Sequence, residues 1–385
     1  MGNILDGARS NFRTFDELPF NAVDSLTLSE LAYIHMPESV PRHETTTTVR
    51  CVPMTATLRA EDYPSMVTTG SQSVNEYRLN LLRAVCESPR YRGMRVGEYA
   101  ERLDSDDQTQ FAAMTFDLSD CVGMRADAGG TLYVAFRGTD NTLVGWKEDF
   151  NMAVRCPVPA QRSAAAYLRS VADRSTGALG SSPATIMVGG HSKGGNMAIY
   201  AAMLLGASQP RVTRIFSHDG PGFDAAVTRS DAYRAVCGRI DKTVPESSVI
   251  GMLLDDGDVA HTVVKADAIG ILQHMGGSWQ VADGEFVTAP ELTVGAQFAD
   301  RTIGAWLDGV DQRQREITVD QTYDVIAAAG YDNFADLAAN WTAALPKILV
   351  AASGTDRKTR ELISSVLKGL PSSAVRTLVR RDETV

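Results

Sequence analysis

No stretch of the 385 residues reaches the ~18 consecutive apolar residues that a membrane-spanning helix needs, so no transmembrane segment is expected. Cysteine is scarce and shows no pattern. Cys51, Cys86, Cys121, Cys156 and Cys237 are odd in number, scattered and never arranged as C-x-x-C. That spacing argues against a disulfide framework or a cysteine zinc site and makes a reduced, cytoplasmic setting the expectation. Positive charge is in deficit: 37 Lys+Arg stand against 47 Asp+Glu, a net charge of −10. A nucleic-acid binder needs a basic face to meet phosphates, so nucleic acid is not an expected partner. The opening residues MGNILDGARSNFRTFDELPF lack the basic and then apolar regions of a signal peptide. Asp6 stands where a myristoylation signal requires Ser or Thr. Lys193 sits among glycines, but no G-x-x-x-x-G-K-[ST] is present, which excludes a P-loop. Internal repeats and low-complexity linkers are absent as well. Histidine is limited to six positions, which narrows any search for a catalytic base.

What is present alternates. Leu26–Tyr33 has helical spacing, and residues 73–103 read as helix, with Tyr77, Leu79, Leu81, Leu82 and Val85 recurring at about one turn. The period then changes. Phe111–Leu118 and Thr131–Phe136 read as strands joined across a Gly129-Gly130 turn, hence a hairpin. Ser163–Asp173 reads as helix, Thr185–Val188 as a buried strand, and Asn196–Leu205 as a buried helix. Short strands are expected at Arg214–Ser217, Ser247–Leu254 and Thr262–Lys265, and polar-faced helices from about Ala289. Alternating strands and helices predict an α/β fold with a mostly parallel central sheet.

The chemistry-bearing segment is Thr185–Tyr200, TIMVGGHSKGGNMAIY, which contains Gly190-His191-Ser192-Lys193-Gly194, a G-x-S-x-G. Alone the pattern is weak. Here an apolar strand precedes it and a small-residue helix follows, the context of the nucleophile elbow of the α/β-hydrolase fold. Gly190 and Gly194 are needed because strand and helix backbones approach closely there. The expected organisation is one α/β-hydrolase domain over residues 1–385. An N-terminal helical or irregular decoration would take about 1–105, a catalytic core about 106–285, and a C-terminal helical region about 289–385.

A serine hydroxyl needs a histidine base, and the histidine needs an acid to fix its tautomer. In this fold the chain order is Ser, Asp or Glu, then His. His35 and His43 come too early, His191 is inside the elbow and expected to point away from the serine's face, and His218 leaves no room for an acid. Of the remaining two, His261 directly precedes a strand, whereas His274 lies in the loop segment GILQHMGGSW, so His274 is the expected base. Asp219, between a strand end and Gly220-Pro221-Gly222, is the expected acid, with Asp255, Asp256 and Asp258 as rivals. The oxyanion donors expected are the Lys193 N–H and Thr139, which follows Phe136-Arg137-Gly138. Arg137 is expected in a structural salt bridge, and Lys193 as a surface residue of the elbow helix. Asn151–Arg162 could be either a lid or an ordinary loop.

Phe136-Arg137-Gly138-Thr139, followed by Trp146 and Asp149 and then by GHSKGG, resembles the class 3 lipase superfamily. Segments 19–33, 134–152, 189–202, 218–223 and 249–281 look more closely like the bacterial Mbeg1-like (DUF2974) family, over about residues 4–350. One departure is Lys193, where lipases of this class commonly carry Leu. The resemblance implies a lipase- or esterase-like serine hydrolase and supplies no substrate. The expected partner is thus a small-molecule or lipid acyl ester, with no metal or organic cofactor required. A membrane surface is a possible partner but not an indicated one, and the oligomeric state is left open. Two other readings stand beside this one: a catalytically silent hydrolase fold serving as a binding or scaffold protein, and a thioesterase or small-peptide hydrolase.

Overall fold

The computed structural model describes residues 1–360 except 44–46, 70, 105–108, 125–128, 141–151, 153–154, 176–181, 255, 298–311, 332–339 and 356–359. Its centre is an eight-stranded sheet in sequential order: β1 (Cys51–Pro53), β2 (Arg95–Asp104), β3 (Thr109–Asp117), β4 (Thr131–Phe136), β5 (Thr185–His191), β6 (Val212–His218), β7 (Ile240–Pro245) and β8 (His261–Val264). β1 to β4 pair antiparallel and β4 to β8 pair parallel, so the sheet is mostly parallel and flanked by helices, as expected.

The strand sequences explain why both faces are covered. In β4, Tyr133 and Ala135 enter one core, while Leu132, Val134 and Phe136 enter the other. β5 divides likewise, Met187 to the first and Ile186 with Val188 to the second. Side chains alternate across a pleated strand, so a strand buried on both faces reads as a continuous apolar run. The first core is closed by the helices Ala22–Leu31 and Gln72–Glu87, which supply Leu26, Leu28, Leu31, Leu81 and Leu82. The second is closed by Pro159–Arg174 and Lys193–Met203, with Leu168, Val171, Met197 and Ile199.

Two local expectations are corrected. Residues 73–103 are not one helix: the helix ends at Glu87, Pro89 opens a tight turn, and Arg95–Asp104 is β2. The sheet therefore begins within the segment assigned to an N-terminal decoration. Ser247–Leu254 is not a strand but holds a short 3-10 turn at Ile250–Met252. The strand is Ile240–Pro245, concealed in the sequence because Asp241 and Lys242 interrupt its apolar run. Lys242 lies buried with its ammonium on Asp256. Among the described residues of the C-terminal region, helices Gln312–Ala327 and Trp341–Ser353 form a small core of their own around Val325, Ala344 and Ile348.

Candidate active site

The carboxyl ends of β4, β5 and β6 lie side by side, with Phe136 opposite Gly190 and His191 opposite His218. The Arg137–Thr139 segment, Ser192 and Asp219 consequently leave the sheet at one edge, where open parallel sheets place their ligands. Ser192 follows β5 directly and caps the Lys193–Met203 helix with φ 58° and ψ −133°. A left-handed φ on a non-glycine residue costs about 1–3 kcal/mol and persists only when its surroundings impose it. The close approach supplies that constraint. A Cβ on Gly190 would sit 2.3 Å from the Gly194 carbonyl carbon, and one on Gly194 would sit 2.2 Å from Phe136 O. Both elbow glycines are thus required by contact between strand, helix and the neighbouring strand end.

Asp219 and His274 are brought together. His274 Nδ1 is 2.6 Å from Asp219 Oδ2. The other carboxylate oxygen, Oδ1, accepts from the Ser248 hydroxyl and from the Gly251 N–H at 3.1 Å. The Asp219 backbone is fixed as well, at φ 50°, with its N–H donated to Thr243 O. It is fully buried, while 18% of the His274 side chain remains accessible at the end of the turn Gly270–His274.

The rivals are elsewhere. Asp256 accepts from the Lys242 ammonium, Asp258 is exposed on a turn, and Asp255 lies outside the described residues. His261 is exposed at the start of β8. His35 and His43 pair with Glu101 and Glu98.

His191 departs from expectation. Its ring does not turn away from the site but lies tilted against that of His274, with centroids 4.7 Å apart. Its Nε2 lies 2.6 Å from the His274 carbonyl oxygen, which can only accept, so Nε2 carries the proton. Nδ1 is then the acceptor for the Tyr33 hydroxyl at 3.1 Å. Burial pushes the His191 pKa down to about 3, with the neighbouring His274 adding to the effect, which keeps the ring neutral. The second residue of the elbow thereby ties the backbone of His274 to the residue preceding Ser192. Sequence reasoning missed this link because nothing in the spacing of 191 and 274 announces it.

Lys193 also departs from expectation. It is buried, and its ammonium donates to Gln110 O at 3.1 Å. The Gln110 side chain accepts from the Asp140 N–H, so one residue of β3 contacts both the elbow and the segment after Thr139. Thr139 is half-buried. Gly138 before it packs so tightly that a Cβ there would meet Ser192 Cβ at 3.0 Å. Arg137 is buried on Glu101 at 2.8 Å, the structural pair expected. Asn196, which sequence reasoning did not single out, donates from the elbow helix to Pro221 O and Gly222 O and accepts from Gln161. It fixes the loop that carries Asp219. Trp146 and Asp149 lie outside the described residues, as do Asn151, Ala153 and Val154 of the lid segment. The end of that segment forms the first turn of the Pro159–Arg174 helix.

Among the described residues, no cluster of His, Cys, Asp or Glu could hold a metal ion, and no helix is long and apolar enough to cross a membrane.

A family model described as Mbeg1-like matches residues 85–324, more than half of the chain. The chain belongs to the Mbeg1-like family. The matched span of this Mbeg1-like protein contains the elbow, Asp219 and His274. No curated protein matches it. Two solved structures of the Rhizomucor miehei lipase propeptide complex are similar at 15% identity, each over 65% of this chain. A two-residue deletion mutant is covered over 90% of its length with a TM-score of 0.35, and the native complex over 92% with a TM-score of 0.34.

Proposed function

We propose that this protein is a serine hydrolase of acyl esters. The observation that carries the reading is the 2.6 Å pairing of Asp219 with His274 Nδ1, beside a serine held at φ 58° on an adjacent strand end. A surface turn has no reason to combine a strained serine with a buried carboxylate aimed at a partly accessible histidine.

Each role follows from its surroundings. Asp219 accepts the Nδ1 proton of His274, which leaves Nε2 as the basic nitrogen. Nε2 takes the Ser192 hydroxyl proton as Oγ attacks the ester carbonyl. The resulting oxyanion would meet the N–H of Lys193 at the first position of the helix, with its positive dipole end, and Thr139. His274 then returns the proton to the leaving alcohol, and water, activated by the same histidine, releases the acid from Ser192.

The test is labelling with a fluorophosphonate followed by peptide mapping, beside a panel of p-nitrophenyl esters of rising chain length. Covalent label on Ser192, lost in Ser192→Ala while the thermal melt is unchanged, supports the reading. A folded wild-type protein that neither takes up label nor cleaves any ester of the panel would sink it in favour of a silent scaffold.

A further inference from the structure

Behind the histidine pair lies a carboxylate that the chemistry above does not use. Glu30, in the last turn of the Ala22–Leu31 helix, is 8% exposed. Its Oε1 is 4.0 Å from His191 Nδ1. A Cβ on Gly276, two residues beyond His274, would stand 2.9 Å from the same oxygen. Glu30 thus lies between the His191 ring, at the end of the strand entering the elbow, and the loop carrying His274.

The titratable groups that face it come from three directions. Tyr77 and Arg78 come from the helix Gln72–Glu87, His191 from β5, and His274 from its loop. Burial drives the Tyr77 hydroxyl well above its ordinary value and His191 down to about 3, so both stay neutral near pH 7. Burial raises the Glu30 carboxyl to about 7, against the pull of Arg78 and then His274. Glu30 therefore changes charge in the range where a histidine base works.

We propose that Glu30 is a positioning residue for the reaction, whose carboxylate stabilises the imidazolium formed at His274 when Ser192 gives up its proton. The coupling is reciprocal: a positive His274 favours ionised Glu30, so ionised Glu30 favours a positive His274 by the same free energy. Little solvent intervenes to screen that interaction at a buried site. Asp219 fixes the tautomer by direct contact, and Glu30 adds charge without contacting the ring nitrogens of His274. The inference rests on the serine-hydrolase reading.

The experiment is the second-order rate of fluorophosphonate labelling at Ser192, measured from pH 5.5 to 9 for wild type and Glu30→Gln. The expected ratio of wild type to variant is near one below pH 6 and rises to about tenfold above pH 8. A ratio that is flat with pH overturns the proposal, because a packing role has no reason to follow the ionisation of Glu30. If Glu30→Gln melts below the assay temperature, Glu30→Met carries the same comparison. A wild-type protein that takes no label at any pH fails the serine-hydrolase reading itself, an outcome distinct from a labelled protein with a flat ratio.

Discussion

Asp219→Asn is the sharpest perturbation of the proposed site, because the surroundings dictate which way the new amide must point. Oδ1 of Asp219 receives two donors, the Ser248 hydroxyl and the Gly251 N–H. An asparagine keeps its carbonyl oxygen there, since the Gly251 N–H can only donate and would be left buried and unsatisfied against an amide NH2. The NH2 then faces His274 Nδ1, where Asp219 Oδ2 stands at 2.6 Å. Nδ1 becomes an acceptor, the ring proton moves to Nε2, and the nitrogen that should take the serine proton is blocked. A wrong tautomer in an otherwise intact triad costs on the order of 10⁴ in kcat, or about 5 kcal/mol of transition-state stabilisation. KM should change little, because the substitution touches no substrate contact. The assay is hydrolysis of the best ester in the panel, with a thermal melt to confirm folding. Asp256→Asn is the comparison. It breaks the pair with buried Lys242, which costs about 3 kcal/mol of stability, yet leaves kcat of the folded protein within about threefold. A folded Asp219→Asn that keeps more than a tenth of wild-type kcat would refute the reasoning and move the acid elsewhere.

Two further outcomes concern stability. Gly190→Ala places a methyl 2.3 Å from the Gly194 carbonyl carbon and 2.6 Å from Phe136 O, both backbone atoms. It should lower stability by about 3 kcal/mol or more and abolish labelling, whereas Gly238→Ala, with nothing within 4 Å of its Cβ, should melt like wild type. Glu30 offers a pH test with a definite sign. Its folded pKa of about 7 lies above the ordinary value of 4.5, so between these the unfolded chain releases a proton that the folded chain retains. Wild-type stability should therefore fall as pH rises from 4.5 to 7, by about 3 kcal/mol, and level off above. Urea unfolding of Glu30→Gln should lack that fall, and a stability difference from wild type that does not vary with pH would show that Glu30 is not a desolvated carboxyl in solution.

Much of this site was legible in the chain because its signals are local. Gly190, Ser192 and Gly194 announce themselves through the steric demand of one turn, and the flanking apolar strand and small-residue helix supply its context. The pairing of Asp219 with His274 spans 55 residues, but chain order and the shortage of histidines reduced the choice to two, and a strand boundary decided between them. Strands buried on both faces were readable as apolar runs, as in Thr131–Phe136. β7 was not, because the Lys242–Asp256 pair lets a lysine occupy a buried strand position, and a sequence does not disclose that partner. Lys193 misled for the same reason. A lysine beside a nucleophile on a helix reads as solvated, and only the Gln110 carbonyl across the sheet shows it buried. Glu30 and the Tyr33–His191 link went unread because they act through tertiary contacts between segments that share no motif.

Three histidines lie close to the elbow, and their environments sort them by chemistry. His218 is fully buried, with Nε2 2.8 Å from the Ser25 hydroxyl, its ring stacked on Phe216 and its edge toward Trp279. Burial pushes it, like His191, down to about 3. An imidazole so reluctant to hold a proton is a poor general base near pH 7, since the driving force for taking one from a serine hydroxyl falls with its pKa. Both are also committed, His191 to the His274 carbonyl and Tyr33, and His218 to Ser25. Of the three, His274 has a carboxylate within hydrogen-bond distance of Nδ1 and the most accessible side chain. The same burial that disables His191 as a base suits it to hold His274, because a ring fixed as the neutral Nε2–H tautomer donates to one carbonyl at every pH where the enzyme would work. In the proposed reaction the elbow thus carries two adjacent polar residues with opposite demands: Ser192 must be able to lose its proton, and His191 must never gain one.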